Sequence, residues 1–315
     1  MSDRRPELGA FLRARRDRLS PAQAGIQAFP GARRVPGLRR EELAVLAGLS
    51  PDYYSRLEQG RQAHVSDGVL DALARALRLD DVERTHLHNL AAPTRPTRGS
   101  GPEPAQRPDP GLLRLMTALD HLPVLLVGHR SDVLARNELL QVVLGRPLPP
   151  GASFVEFLFD DPLAKHRITN WDTFAAGTVA ALRGETGRRP YDTRLHDLVR
   201  RLREADDDVE RWWQDHRVVD HTSLVKHIDH PVAGPLVFHI EAVSPPHDPD
   251  QRLVVYTAEP DSTTARAIGF LAGYTDPRRP PTAREAAPSN QPGAERDCDE
   301  DNRSRDDPDE GARSW

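Results

Sequence analysis

"GLRREELAVLAGLSPDYYSRLEQGR", residues 37–61, holds two short helical patterns separated by one glycine. From Arg39 the first pattern puts Leu43, Leu46 and Ala47 on one face, at the three- and four-residue spacing of an α-helix. Gly48 follows directly. A glycine there supplies the left-handed conformation that ends a helix in a sharp turn, and Leu49 is placed to fill the space between the two arms. Ser50 then reads as an N-cap and Pro51 as the first helical residue, where its missing N–H costs nothing. In the second helix Tyr54 and Leu57 point inward, whereas Asp52, Ser55, Arg56 and Gln59 point outward; Gly60 ends it. A short helix held at an angle by a tight turn, with polar groups and an arginine on its free face, suits the major groove of B-DNA.

The remainder of the N-terminal segment supports a domain around this pair. Helical patterns span Glu7 to Leu19, Arg39 to Ala47, Pro51 to Gln59, Ser66 to Leu77 and Asp80 to Ala91, with a loop at residues 20–37. Residues 92–110, "APTRPTRGSGPEPAQRPDP", carry six prolines in 19 positions and read as an extended linker. Beyond it the pattern mixes β-branched runs with helices at Ser153–Phe159, Trp171–Arg183, Asp192–Ala205, Asp207–His216 and Ser262–Ala272. Strands are expected at Val218–Ile228, Leu236–Val243 and Arg252–Ala258, besides "PVLLVG" and "DVLAR". In the strands, Leu236, Phe238 and Ile240 share one face; Leu253, Val255 and Thr257 share another, or Val254 and Tyr256 its reverse. The expected architecture is an all-α five-helix helix-turn-helix domain (1–92), a Pro-rich linker (93–110), an α+β domain (111–275) and a disordered acidic tail (276–315).

Composition bounds the function. The net charge of −5 conceals a gradient: residues 1–61 hold 12 Arg against 7 acids, whereas residues 295–310 hold 9 acids against 3 Arg. One end is basic enough for a polyanion. Only Lys165 and Lys226 among the 43 basic residues are lysine. The single cysteine, Cys298, excludes a disulfide framework and a Cys-based zinc site. No apolar run approaches the roughly 18 residues of a membrane span, and the N-terminus lacks a secretory pattern. A cytoplasmic protein without membrane association is expected.

Residues 37–61 resemble the Xre and phage-repressor class of helix-turn-helix, and the five-helix order of residues 1–92 extends that resemblance. It implies a DNA interface in which Arg40 contacts phosphate, Ser50 lies beside the backbone, and Pro51, Asp52 and Arg56 face bases. Arg56 is the main expected base reader, through guanine O6 and N7, worth about 1–3 kcal/mol of discrimination. Asp52 would accept from cytosine N4, Pro51 offers only apolar contact, and Tyr53 bonds phosphate. Ser55 and Gln59 complete the outward face, and Arg33, Arg34 and Arg39 add phosphate contacts. Arg13, Arg15, Arg16 and Arg18 of the first helix read as solvated.

After the linker, "VLLVGHRSDVLARN", "WDTFAAGTVAALRGETGRRPYDTRLHDLVRRL", "WWQDHRV" and "DPDQRLVVYTAEPDS" resemble, in order and spacing, the C-terminal domain of MmyB-like transcription regulators. The resemblance implies a PAS-like sheet flanked by helices that encloses small apolar ligands, fatty acids being that family's ligand class. Candidate lining residues are Trp171, Phe174, Trp212, Trp213, Phe238 and Tyr256. The expected function is therefore a non-enzymatic regulator that binds double-stranded DNA as a homodimer and responds to a small apolar ligand, with no cofactor. Two other readings of the second domain stay open: a protein-interaction or dimerisation module, and a metal or haem sensor using His216, His221, His227, His230 and His239. Those histidines match no ligand motif such as HExxH, and neither GxSxG nor a P-loop occurs.

Overall fold

The structure, a computed structural model, describes residues 4–27, 29, 36–62, 64–92, 106–219 and 224–273. Arg33, Arg34, His221, Cys298, most of the linker and the whole acidic tail lie outside the described residues. The N-terminal domain comprises α1 (Arg5–Arg18), α2 (Pro21–Ala24), α3 (Arg40–Ala47), α4 (Pro51–Glu58), α5 (Asp67–Ala76) and α6 (Asp81–Ala91). All five expected helices form. The added one, α2, falls where a loop was expected: Ser20 and Gln23 close a capping box, Pro21 takes a first-turn position, and Gly25 ends the turn at φ 79°. A single turn is too short to show a helical period, which is why the pattern conceals it.

Leu8, Phe11 and Leu12 of α1 pack with Leu43, Tyr54, Leu57, Leu73 and Leu87 in one core. The approach of α1 to α4 is set by Gly9. A Cβ there would lie 2.2 Å from the Glu58 carbonyl oxygen, so only hydrogen fits the crossing.

The second domain runs α7 (Pro110–Ala118), β1 (Val124–Gly128), β2 (Val133–Arg136), α8 (Glu138–Leu144), α9 (Phe154–Asp160), α10 (Pro162–Arg167), α11 (Trp171–Arg188), α12 (Thr193–Ala205), α13 (Asp207–Gln214), β3 (Leu224–His230), β4 (Gly234–Val243), β5 (Gln251–Thr257) and α14 (Thr263–Ala272). The strands form one antiparallel sheet in the order β2-β1-β5-β4-β3, the PAS-like arrangement. Leu236, Phe238 and Ile240 face the main core, as their alternation predicts. In β5 both alternatives hold at once. Tyr256 joins the main core, while Leu253 and Val255 join Val124, Leu126 and Leu112 beneath α7 on the opposite face. A sheet covered on both faces loses the polar half of its alternation, and β1 is accordingly buried at every position.

Three boundaries differ from expectation. Pro110 opens α7, behind the N-cap Asp109, rather than closing the linker. Strand β3 begins at Leu224, not Val218, because Val218 is 4% exposed within the N-terminal core. Helix α11 continues past Arg183 to Arg188 through two glycines that small-residue counting reads as a stop. Tertiary packing explains both of the last two. A Cβ on Gly187 would lie 2.6 Å from the His86 ring of α6, and one on Gly184 3.4 Å from Val218. These glycines bring α11 against the N-terminal domain. The same seam is sewn by Arg4 to the Gly187 carbonyl, Arg15 Nη2 to the His216 carbonyl at 2.6 Å, and Arg18 Nη2 to the Asp215 carbonyl at 2.8 Å.

Candidate functional site

The turn between α3 and α4 has the geometry its residues dictate. Gly48 adopts φ 67°, and the Leu49 N–H returns to the Ala44 carbonyl at 2.8 Å, closing the end of α3. Ser50 Oγ accepts from the Tyr53 N–H at 3.2 Å and starts α4 behind Pro51. Tyr54 and Leu57 are buried; Pro51, Asp52, Arg56 and Gln59 are exposed, with Tyr53 and Ser55 half-exposed between them. The outward groups pair among themselves: Arg56 Nη2 meets Asp52 Oδ2 at 2.9 Å and Gln59 Nε2 meets Ser55 Oγ at 3.2 Å. Exposed pairs one helical turn apart are worth only about 0.2–0.5 kcal/mol, so they orient the face without locking it.

Beneath that face lies a charge cluster absent from the sequence reading. Glu58 is 2% exposed, on the same stripe as Tyr54 and Leu57, and accepts from Arg16, Arg13 and Arg40. Arg16 also donates to the Leu38 carbonyl at 2.7 Å. Burial alone would raise the Glu58 pKa, but the bonds and charges of Arg16 and Arg40 outweigh it and hold the carboxyl below its ordinary 4.5. The solvated reading therefore fails for Arg15 and Arg16, whereas Arg13 and Arg18 stay exposed while pairing with acids. Arg16 is 6% exposed, Arg13 shares its acid, Arg15 pairs with Glu83, and Arg18 pairs with Asp215. Arg40 has a double position: its guanidinium bonds Glu58 at 3.0 Å while 43% of its side chain stays exposed beside the α4 face. Arg39 opens α3, its N–H donating to Glu42 Oε2 at 2.7 Å.

In the second domain all six aromatic candidates lie in or against the main core, in two sets of ring contacts. Phe174, Phe238 and Tyr256 converge in the main core, the last two edge-to-face at 5.6 Å. Trp171 sits beside them against Phe159 at 5.7 Å. Trp212 and Trp213 are instead covered by arginines, Arg211 at 5.6 Å from the first ring and Arg183 at 4.1 Å from the second. Both rings also pack against the main core, and among the described residues no ring–ring contact joins them to Phe174 or Tyr256.

At the centre of the converging rings is Lys226, fully buried on β3. Its Nζ lies 4.5 Å from the Phe174 ring centroid, 5.3 Å from Phe154 and 5.4 Å from Tyr256, with the Tyr256 hydroxyl at 3.4 Å. Burial pushes this amine down to about 7. A signal existed in the sequence: Lys226 occupies an inward position in the alternation Lys226, Ile228, His230, where an apolar residue is the rule.

The histidines are dispersed. His230 Nδ1 accepts from the Val232 and Ala233 N–H groups, while His86 lies in the domain seam against Phe11 and Gly187. Burial, then the positive charge of Arg183, Arg4 and Arg15, brings His86 down to about 3 and so keeps it neutral. No three metal-ligand side chains come together among the described residues. An open cleft of about 320 Å³ beside Arg130, Asp132, Glu156 and Arg201 is lined by both signs of charge, a poor match for an apolar molecule.

Residues 108–271, just over half of the chain, match the family described as the MmyB-like transcription regulator ligand binding domain, and residues 7–87 match a helix-turn-helix domain. No curated protein matches the chain. Among the described residues no helix is long and apolar enough to cross a membrane.

Proposed function

The chain belongs to the family of MmyB-like transcription regulators, and on that premise we propose that residues 1–92 bind operator DNA through α4 while residues 111–275 take up a fatty acid that alters operator affinity. Arg56 reads guanine. Asp52, bonded to Arg56, orients that guanidinium instead of contacting cytosine. Arg39, Arg40, Ser50 and Tyr53 engage phosphates, and Pro51, Ser55 and Gln59 complete the groove contact. Two copies bind half-sites spaced by one helical turn, about 34–36 Å.

One observation carries the ligand-dependent part: α11 touches both domains, packing on β3 at one end and on α6 at the other. Its first turn is clamped to β3, where Asn170 accepts from the His227 N–H at 2.9 Å and donates to the Val225 carbonyl at 2.8 Å, and Phe174 abuts Lys226. Its last turns press Gly187 against His86 of the DNA-binding domain. A helix of 18 residues is about 27 Å long and transmits displacement as a rigid rod. An acyl chain lodged among Phe174, Phe238 and Tyr256 shifts the regulator only by fitting two positions of α11 unequally.

Nuclease protection of the chain's own promoter, with and without dodecanoate, tests the reading. Protection of a two-fold symmetric site, with midpoint shifted several-fold by the acid, is the expected result. Gly187→Leu, which forces α11 off α6, is expected to retain DNA binding and lose the shift. Protection that ignores every fatty acid sinks the sensing assignment, and no protected site sinks the operator assignment.

A further inference from the structure

We propose that Lys226 binds the head group of the sensor's ligand and that this head group is a monoanionic carboxylate. The inference rests on the ligand-sensing reading above and adds to it the residue and the charge that are recognised. A buried amine normally has a carboxylate partner, because an ammonium out of water is costly unless paired. Lys226 faces rings instead. Phe154, Phe174 and Tyr256 surround Nζ, Phe238 is its cross-strand neighbour on β4, and the sole polar contact among the described residues is the long one to the Tyr256 hydroxyl.

The ionisable groups on the packed elements are engaged elsewhere or turned away. On β3, Asp229 is exposed and His227 sits on the outward register. On β4, His239 reaches toward Glu259, and Glu241 is exposed. On α9, Glu156 pairs with Arg201; on α10, Lys165 and His166 are exposed and Arg167 donates to the Leu144 carbonyl. Asp172 on α11 is exposed, and on β5 Arg252 pairs with Glu185. None contributes to the titration of Lys226, which burial alone displaces.

The residue type sharpens the argument. This chain uses arginine for all but two of its 43 Lys and Arg residues, yet among the described residues the one fully enclosed cation is lysine. A guanidinium would hold its charge permanently, whereas an amine near neutrality is uncharged when the core is empty and takes up a proton when an anion arrives. One cation in an apolar interior neutralises one negative charge; a phosphate dianion would leave a second charge buried without a partner. The surrounding rings accept the alkyl part. Half-buried Phe154, tilted against Phe157 at 6.1 Å, is the most exposed of the three rings around Nζ and the place for entry.

The full chain labelled with ¹³C at lysine Cε yields two resonances, assigned by Lys165→Arg. Expected for Lys226 is a titration near pH 7, rather than the ordinary 10.5, that dodecanoate moves upward by about one pH unit or more and dodecanol leaves in place. In Lys226→Met, dodecanoate affinity should fall about tenfold or more while dodecanol affinity is retained. Dodecanoate that binds without moving the Lys226 titration overturns the head-group assignment and leaves the sensing reading standing. If neither probe binds the unaltered chain, that reading falls and the assignment with it. The titration of the unaltered chain decides the matter even if the methionine variant misfolds.

Discussion

Two buried charges, one in each domain, are treated oppositely. Glu58 lies on the buried face of α4 with bonds from three arginines, whereas Lys226 lies in the PAS-like core with rings around it and, among the described residues, no carboxylate beside it. The first charge is part of the scaffold: it ties α1 and α3 to α4 and leaves the outward face of α4 free to exchange its own weak pairs. The second is met, among the described residues, only by aromatic faces and one long contact to the Tyr256 hydroxyl. The contrast separates a polar group that completes a fold from one that waits for something outside it.

Removing each charge tests that contrast, with opposite signs. Glu58→Gln leaves buried Arg16 with only the half-exposed Asp17 carboxylate, at 2.8 Å, and is expected to destabilise the chain by about 3 kcal/mol in urea unfolding at pH 7. Because the folded carboxyl titrates below 4.5, this stabilisation is present above that value and is lost as pH falls through the lower folded value; the variant and the parent should converge in acid. Equal stability of the two at pH 7 would erase the distinction. Lys226→Met should instead stabilise the ligand-free chain, by about 1–4 kcal/mol. The penalty of the buried amine is complete below about 7, where it is charged both folded and unfolded, and fades as pH rises toward 10.5. The gain should therefore be larger at pH 6 than at pH 9; a loss at pH 6 would show that Lys226 is already paired.

A smaller effect sharpens the first half of the comparison. Gly9→Ala must push the α4 backbone away from α1 and loosen the arginine cluster, for about 1–3 kcal/mol of overpacking. A hydrogen-exchange measurement should show the loss of protection concentrated in α1 and α4. Unchanged protection there would mean the crossing yields without strain.

The two domains also differ in how far their chemistry was legible. In residues 37–61 the capping serine, proline and glycines act within a few positions of one another, so Ser50, Pro51 and Gly48 fixed the turn and Tyr54 and Leu57 the inward face. Arg16 and Glu58 were not legible as partners, because 42 residues separate them and only the α1–α4 crossing brings them together. In the second domain alternation marks Phe238 and Tyr256 as inward, whereas nothing local to Trp212 and Trp213 shows that arginines lie over rings that also pack on that core. Lys226 escaped because a residue type was weighed by abundance, although its inward register was visible in β3.

What the sequence by itself determined is the local part: helices bounded by caps, a tight turn, strands that alternate, a basic end and an acidic one. These follow from backbone conformation and from periodicities of two and 3.6, which need only near neighbours. What only the tertiary structure decided is which charges are satisfied, where α11 ends, and that Val218 belongs to the N-terminal core. Those depend on contacts between residues far apart in the chain, where burial raises the cost of every unpaired charge and a missing Cβ decides how closely two helices can pass.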